Sequence, residues 1–145
     1  MLGNLIDKFL RLFCKPKPSD FGTMGMDLMF QKDSYLPIAK KHEVVFRNIL
    51  QDMISGEGKR PARSYIPSDL QLDLPLEYFY KKYSEGNRYG IFTIKKFLVS
   101  EDGKKAGIAF EDVAVMSGGG ASYFYEVHKD KSVTYVPGIG MSFRS

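Results

Sequence analysis

Residues 89–145 read as a succession of strand-like segments, each closed by a turn signal, and no other feature restricts the fold as much. Residues 90–100, GIFTIKKFLVS, are rich in the β-branched and aromatic side chains that fit a pleated, half-buried surface. Glu101-Asp102-Gly103-Lys104 follows, and Asp-Gly supplies the positive φ of a tight hairpin turn. The next expected strand covers residues 106–116. Glu111 and Asp112 interrupt its apolar pattern, which predicts a bulge or a strand passing out of the core. Gly118-Gly119-Gly120, preceded by Ser117, reads as a tight turn between strands. Residues 121–128 alternate, with Tyr123, Tyr125 and Val127 on one face and Ser122, Phe124, Glu126 and His128 on the other. Lys129-Asp130-Lys131 makes a third turn. A last strand starts at residues 133–136, breaks at Pro137-Gly138-Ile139-Gly140 and resumes at 141–143; proline there favours an edge strand or a bulge.

Strands joined this way form an antiparallel meander, and one face of it needs a cover. The spacing predicts a helix over residues 37–54, with Pro37 in its first turn. Ile38, His42, Val45, Phe46, Ile49, Leu50 and Met53 share a face at steps of three and four residues. A second helix is expected over 74–83, with Leu76, Phe79, Tyr80 and Tyr83 on its apolar side. The fold class is α+β: N-terminal helices packed on a C-terminal four-stranded antiparallel curved meander, in a cystatin-like or nuclear-transport-factor-like layout. Residues 1–14 form an amphipathic helix striped by Leu2, Leu5, Ile6, Phe9, Leu10 and Phe13. Residues 15–25, with Lys15-Pro16-Lys17-Pro18, are expected as a linker, and residues 26–145 as a single α+β domain.

A chain of 145 residues that is 43% hydrophobic is long enough and apolar enough to enclose a genuine core. A net charge of +4 is mildly basic, but no basic stripe with interleaved aromatics stands out, so nucleic acid is not the expected partner. Cys14 is the sole cysteine, which excludes an internal disulfide and a cysteine-built zinc site; His42 and His128 are the only histidines. No cofactor or metal is expected. Asp7, Lys8 and Arg11 break the N-terminal apolar run, which removes an uninterrupted signal-peptide core, and the expectation is a cytoplasmic protein.

Two sets of residues are candidates for function. Lys59, Arg60 and Arg63 form a basic loop, Glu111 and Asp112 an acidic interruption, and Leu5, Phe9 and Phe13 an apolar helix face; all three suit contact with another protein. The helix face also suits weak contact with a membrane surface. His42, Tyr123, Tyr125 and Glu126 are the candidates to line a pocket between helix and sheet. Glu126 and His128 share a strand face and form either an acid–base pair or a cross-strand polar contact. The triple glycine lacks the Gly-Lys-Ser/Thr and the helix of a phosphate-binding loop.

Several segments together resemble a set of uncharacterised bacterial small α+β proteins. These are Glu43-Val44-Val45-Phe46 with Leu50, Tyr83 with Gly90-Ile91, Lys105-Ala106, Gly118-Gly119-Gly120, Tyr123-Phe124-Tyr125-Glu126 and the closing Ser145. The chain departs from that pattern at Met116-Ser117, where such proteins often carry cysteines, and at Asp130-Lys131-Ser132, where they often carry Gly-x-Trp. The resemblance implies the helix-on-meander fold and no particular activity. The expected function is a non-catalytic protein-binding module, in its most concrete form an immunity protein that neutralises a cognate bacterial toxin. The alternative is a small-molecule-binding or enzymatic pocket between helix and sheet.

Overall fold

A computed structural model describes residues 21–30, 35–55, 70–83, 92–113, 118–137 and 142–144. Among the described residues four helices precede the sheet: α1 (Gly22–Phe30), α2 (Tyr35–Lys41), α3 (Glu43–Ser55) and α4 (Leu76–Tyr83). Five strands follow: β1 (Phe92–Val99), β2 (Lys105–Val113), β3 (Gly118–Val127), β4 (Val133–Tyr135) and β5 (Ser142–Arg144). The class is α+β with an antiparallel sheet in the order β1-β2-β3-β4. The fourth position is shared. β4 pairs with Tyr125–Val127 of β3, and β5 pairs farther along it with Gly119–Ala121. The interruption expected at Pro137 therefore separates two short strands laid along one neighbour.

The expected helix over 37–54 is present as α2 and α3, with a turn at His42 between them. The His42 N–H donates to the Ile38 carbonyl and the Phe46 N–H to the His42 carbonyl, both at 2.9 Å, so hydrogen bonding runs nearly unbroken across the joint. Pro37 sits in the first turn of α2, where a missing N–H costs no intrahelical bond. Four residues of the expected linker, numbers 22–25, instead open α1.

The bulge lies in a different strand from the one expected. Glu111 pairs with Thr93 and Asp112 with Phe92 in regular register, while β1 carries an extra residue between Ile94 and Lys96. That residue is Lys95. It resets the alternation so that Ile94 and Phe97 both point into the same core, buried to 1% and 0% exposure. Gly118-Gly119-Gly120 is strand, not turn: it pairs with Val113, Asp112 and Glu111 on one side, and its last two residues pair with Arg144 and Phe143 on the other. Pairing on both sides satisfies the backbone groups of a segment with no side chains to pack. The β1–β2 turn forms as Asp-Gly requires. Gly103 has φ 71°, and the Asp102 carboxylate accepts hydrogen bonds from the Ser100 hydroxyl at 2.6 Å and the Lys104 N–H at 3.0 Å.

Helices cover both faces of the sheet, where a cover on one face was expected. On the inner face, Phe46 meets Phe97 and Phe79 edge-on at 5.0 and 5.8 Å, and Ile49, Leu50, Met53, Ile108, Phe110, Tyr123 and Tyr125 complete the main core. On the outer face, a separate and smaller core joins Phe21, Met24 and Leu28 to Leu98, Phe124 and Val136. Gly107 makes this second layer fit. A Cβ there would lie 2.8 Å from Leu28 Cδ1 and 3.1 Å from Met24 Sδ, so the glycine lets α1 settle close to the strand.

Candidate partner-binding surface

The residues proposed to line a pocket are not brought together. Tyr123 and Tyr125 belong to the inner core, 2% and 0% exposed, with both rings against Tyr135 at 5.4 and 5.7 Å. Glu126 alternates to the outer face of the same strand. His42 stands at the α2–α3 joint, half-buried. Burial, then the nearby charges of Lys41 and Lys131, hold its imidazole below the ordinary histidine value.

Glu126 and His128 do meet. His128 Nδ1 is 3.9 Å from Glu126 Oε1, and His128 Nε2 is 2.6 Å from Thr134 Oγ1 on β4. The carboxylate is outside hydrogen-bond range and the hydroxyl is well inside it. The arrangement is the cross-strand polar contact, fixing the short strand β4 to β3. Among the described residues no group of three or more His, Cys, Asp or Glu side chains is placed to hold a metal.

Of the expected partner-binding residues, Leu5, Phe9, Phe13, Lys59, Arg60 and Arg63 lie outside the described residues, and only the backbone of Asp112 is described. Glu111 is engaged within the sheet: its carboxylate lies 3.5 Å from Lys95 Nζ, beside the bulge. Among the described residues no helix is long and apolar enough to cross a membrane.

Large apolar side chains face solvent on three helices: Tyr78 at 64% exposure, Val44 at 57% and Met26 at 57%. Tyr78 is the largest of them. α4 is anchored beneath it by Leu76, Phe79 and Tyr83, so the exposed ring stands on a fixed base. The neighbouring Glu77 pairs with Lys40 across to α2 at 2.5 Å, and the hydrogen bond from this lysine, then its charge, hold the Glu77 carboxyl below its ordinary value. Arg47 braces the approach to α4, donating to the carbonyls of Leu72 and Leu74, the latter at 2.9 Å. Asn48 ties α3 to the β3–β4 turn through the Lys131 carbonyl at 2.9 Å.

The outer core was not assembled from the sequence, although its signal is there. Phe21, Met24 and Leu28 are spaced by three and four residues, and Phe124 is an apolar residue on an otherwise polar strand face. Comparison with known proteins finds no matching family model, no similar curated sequence and no similar solved structure.

Proposed function

We propose that this chain is a non-catalytic protein-binding module, and specifically an immunity protein that neutralises a cognate bacterial toxin by contact. The observation that carries the reading is where the pocket candidates lie. Tyr123 and Tyr125, the residues best suited to grip an enclosed ligand, are spent in ring packing, and Glu126 stands on the opposite face of the sheet. Binding through the outside of the molecule suits that arrangement better than binding inside it. Exposed Tyr78 on a braced helix is the type of side chain that anchors protein interfaces, since a tyrosine offers large area at little conformational cost.

The test is capture followed by reconstitution. Tagged protein is used to capture a partner from its native cells, and the purified partner is then titrated against the purified chain. A single partner is expected, bound with defined stoichiometry and weakened at least about tenfold by Tyr78→Ala or by reversing Lys59, Arg60 and Arg63. Expression of that partner alone should arrest growth, and co-expression of this chain should restore it. Stoichiometric binding without growth arrest would remove the toxin assignment. Absence of any reconstituted complex would remove the module reading.

A further inference from the structure

Two hairpin turns of the sheet are built alike and filled differently. In the β1–β2 turn the Gly103 N–H donates to the Ser100 carbonyl at 2.9 Å, and the Asp102 carboxylate accepts from the Lys104 N–H at 3.0 Å. In the β3–β4 turn the Lys131 N–H donates to the His128 carbonyl at 2.9 Å, and the Asp130 carboxylate accepts from the Ser132 N–H at 3.1 Å. The residue after each aspartate has φ 71°. That is left-handed backbone, which glycine enters freely and a side chain enters at a cost. Among the described residues Lys131 alone has positive φ without being glycine. The chain thus puts a lysine where its own first turn puts glycine.

Nothing within the fold offsets that cost. The Lys131 side chain is exposed, and among the described residues its Nζ makes no ion pair or hydrogen bond. Asn48 holds the turn by the backbone instead, through the Lys131 carbonyl at 2.9 Å. Lys41, Val44 and Asn48 follow at steps of three and four residues, so they share one face across the α2–α3 joint. On that face Val44 is 57% exposed, and Lys41 is exposed and likewise unpaired among the described residues. The nearby carboxylates are turned to other tasks. Glu43 pairs with Arg47 at 2.9 Å, Asp130 accepts from the Ser132 N–H and hydroxyl, and Asp52 buries its Oδ2. Glu126 stands on the outer face of the sheet, opposite the face that α3 covers. The joint is therefore electropositive. After burial, the charges of Lys41 and Lys131 hold the His42 imidazole below its ordinary value, and no described carboxylate counters them.

We propose that Lys131 is a recognition residue, and that with Lys41 and Val44 it receives a loop of a protein partner carrying a carboxylate beside an apolar side chain. The proposal rests on the protein-binding reading and assigns it a site. A turn clasped to α3 offers the amine from a fixed base, which limits the freedom lost on binding. Charge pairing there selects the partner and speeds encounter.

The experiment uses the full chain in three measurements. In urea denaturation, Lys131→Gly should raise the folding constant at least about threefold, and Gly103→Lys should lower it about tenfold. A Cβ at Gly103 would meet nothing within 4 Å, so the second variant isolates the backbone cost. A Lys131→Gly chain no more stable than the original would overturn the proposal, because the lysine would then serve the fold. Next, a peptide of glutamates alone is titrated at low salt and followed by amide NMR, with a peptide of lysines alone as control. Shifts should centre on residues 41–48 and 129–132, and binding should weaken at least about fivefold in Lys131→Gly. Shifts centred elsewhere, or unchanged binding in that variant, would overturn the site. Last, the purified native partner should bind Lys131→Gly at least about tenfold more weakly, although the variant is the more stable, and bind Lys131→Arg nearly as well as the original. A partner that binds Lys131→Gly unchanged would overturn the site and leave the module reading intact. Failure of the unaltered chain to bind any partner would remove the module reading and this occupant together.

Discussion

The two faces of the sheet are covered in different ways from the same strands. The inner face is closed by three helices and by rings that touch in series, Tyr35 to Phe46 at 5.3 Å and Phe46 to Phe97 at 5.0 Å. Among the described residues the outer face is closed by the short helix α1 over a glycine, with Ile38 of α2 packed at its edge. β3 serves both, with Tyr123 and Tyr125 inward and Phe124 outward. Strand alternation thus lets one sequence build a large core and a small one on opposite faces of the same strands.

Substituting one aromatic on each face tests this contrast most strongly. Phe46→Ala should cost about 3–5 kcal/mol in urea denaturation, because its fully buried ring touches neighbours on α2, α4 and β1. Phe124→Ala should cost less, about 2 kcal/mol, because α1 can move to fill the space. Equal losses would mean that the two cores form one cooperative unit.

Deletion of Lys95 comes next. Without it Ile94, Lys96, Phe97 and Leu98 still alternate inward and outward, so the chain should fold with a loss of about 1 kcal/mol or less. Deletion of Phe97 is the control: it reverses the face of every residue on one side and should abolish the cooperative transition.

Tyr35→Phe should be neutral or stabilising by up to about 1 kcal/mol. The Tyr35 hydroxyl is buried and has no hydrogen-bond partner among the described residues. Burial also raises its ionisation well above the ordinary tyrosine value, which the charge of Arg47 only partly offsets. A raised acid favours the protonated fold, so stability is intact below about pH 10 and falls as pH rises above it. The Phe variant should lose less stability between about pH 10 and 11. Equal alkaline loss would show that other groups govern that limb.

The smallest effect belongs to His42. Its lowered value favours the neutral ring in the fold, so stability is present above the ordinary histidine value of about 6.5 and declines as pH falls through it. His42→Gln should flatten that decline by only about a few tenths of a kcal/mol in thermal melts at pH 5 and 7, since a half-buried ring is still partly screened by water.

Much of this architecture is legible in the residues. The inner face of α3 follows from the three- and four-residue spacing of Val45, Phe46, Ile49, Leu50 and Met53, and the first hairpin follows from Asp102-Gly103. The differences between expectation and structure share a physical cause. The triple glycine has the same intrinsic freedom in a turn as in a strand, and only pairing with β2 and β5 decides between them. The acidic pair Glu111-Asp112 breaks a pattern just as the Lys95-Lys96 pair does, yet only the lysines hold an extra residue, because register depends on the partner strand. The outer core is not legible locally because its parts are far apart in sequence, and no local period reports a contact between α1 and β3. Tyr123 and Tyr125 were legible as one face of a strand; the helices above them determine that this face is core.

That separation has a consequence for synthesis. Leu28 packs in one cluster with Val136, about 100 residues later in the chain. A ribosome adding roughly 5–20 residues per second makes the second several seconds after the first. During that interval α1 has no floor, because Leu98, Gly107 and Phe124 are also still to come. Phe21, Met24 and Leu28 thus emerge early and wait unburied, available to chaperones, until β3 and β4 are made.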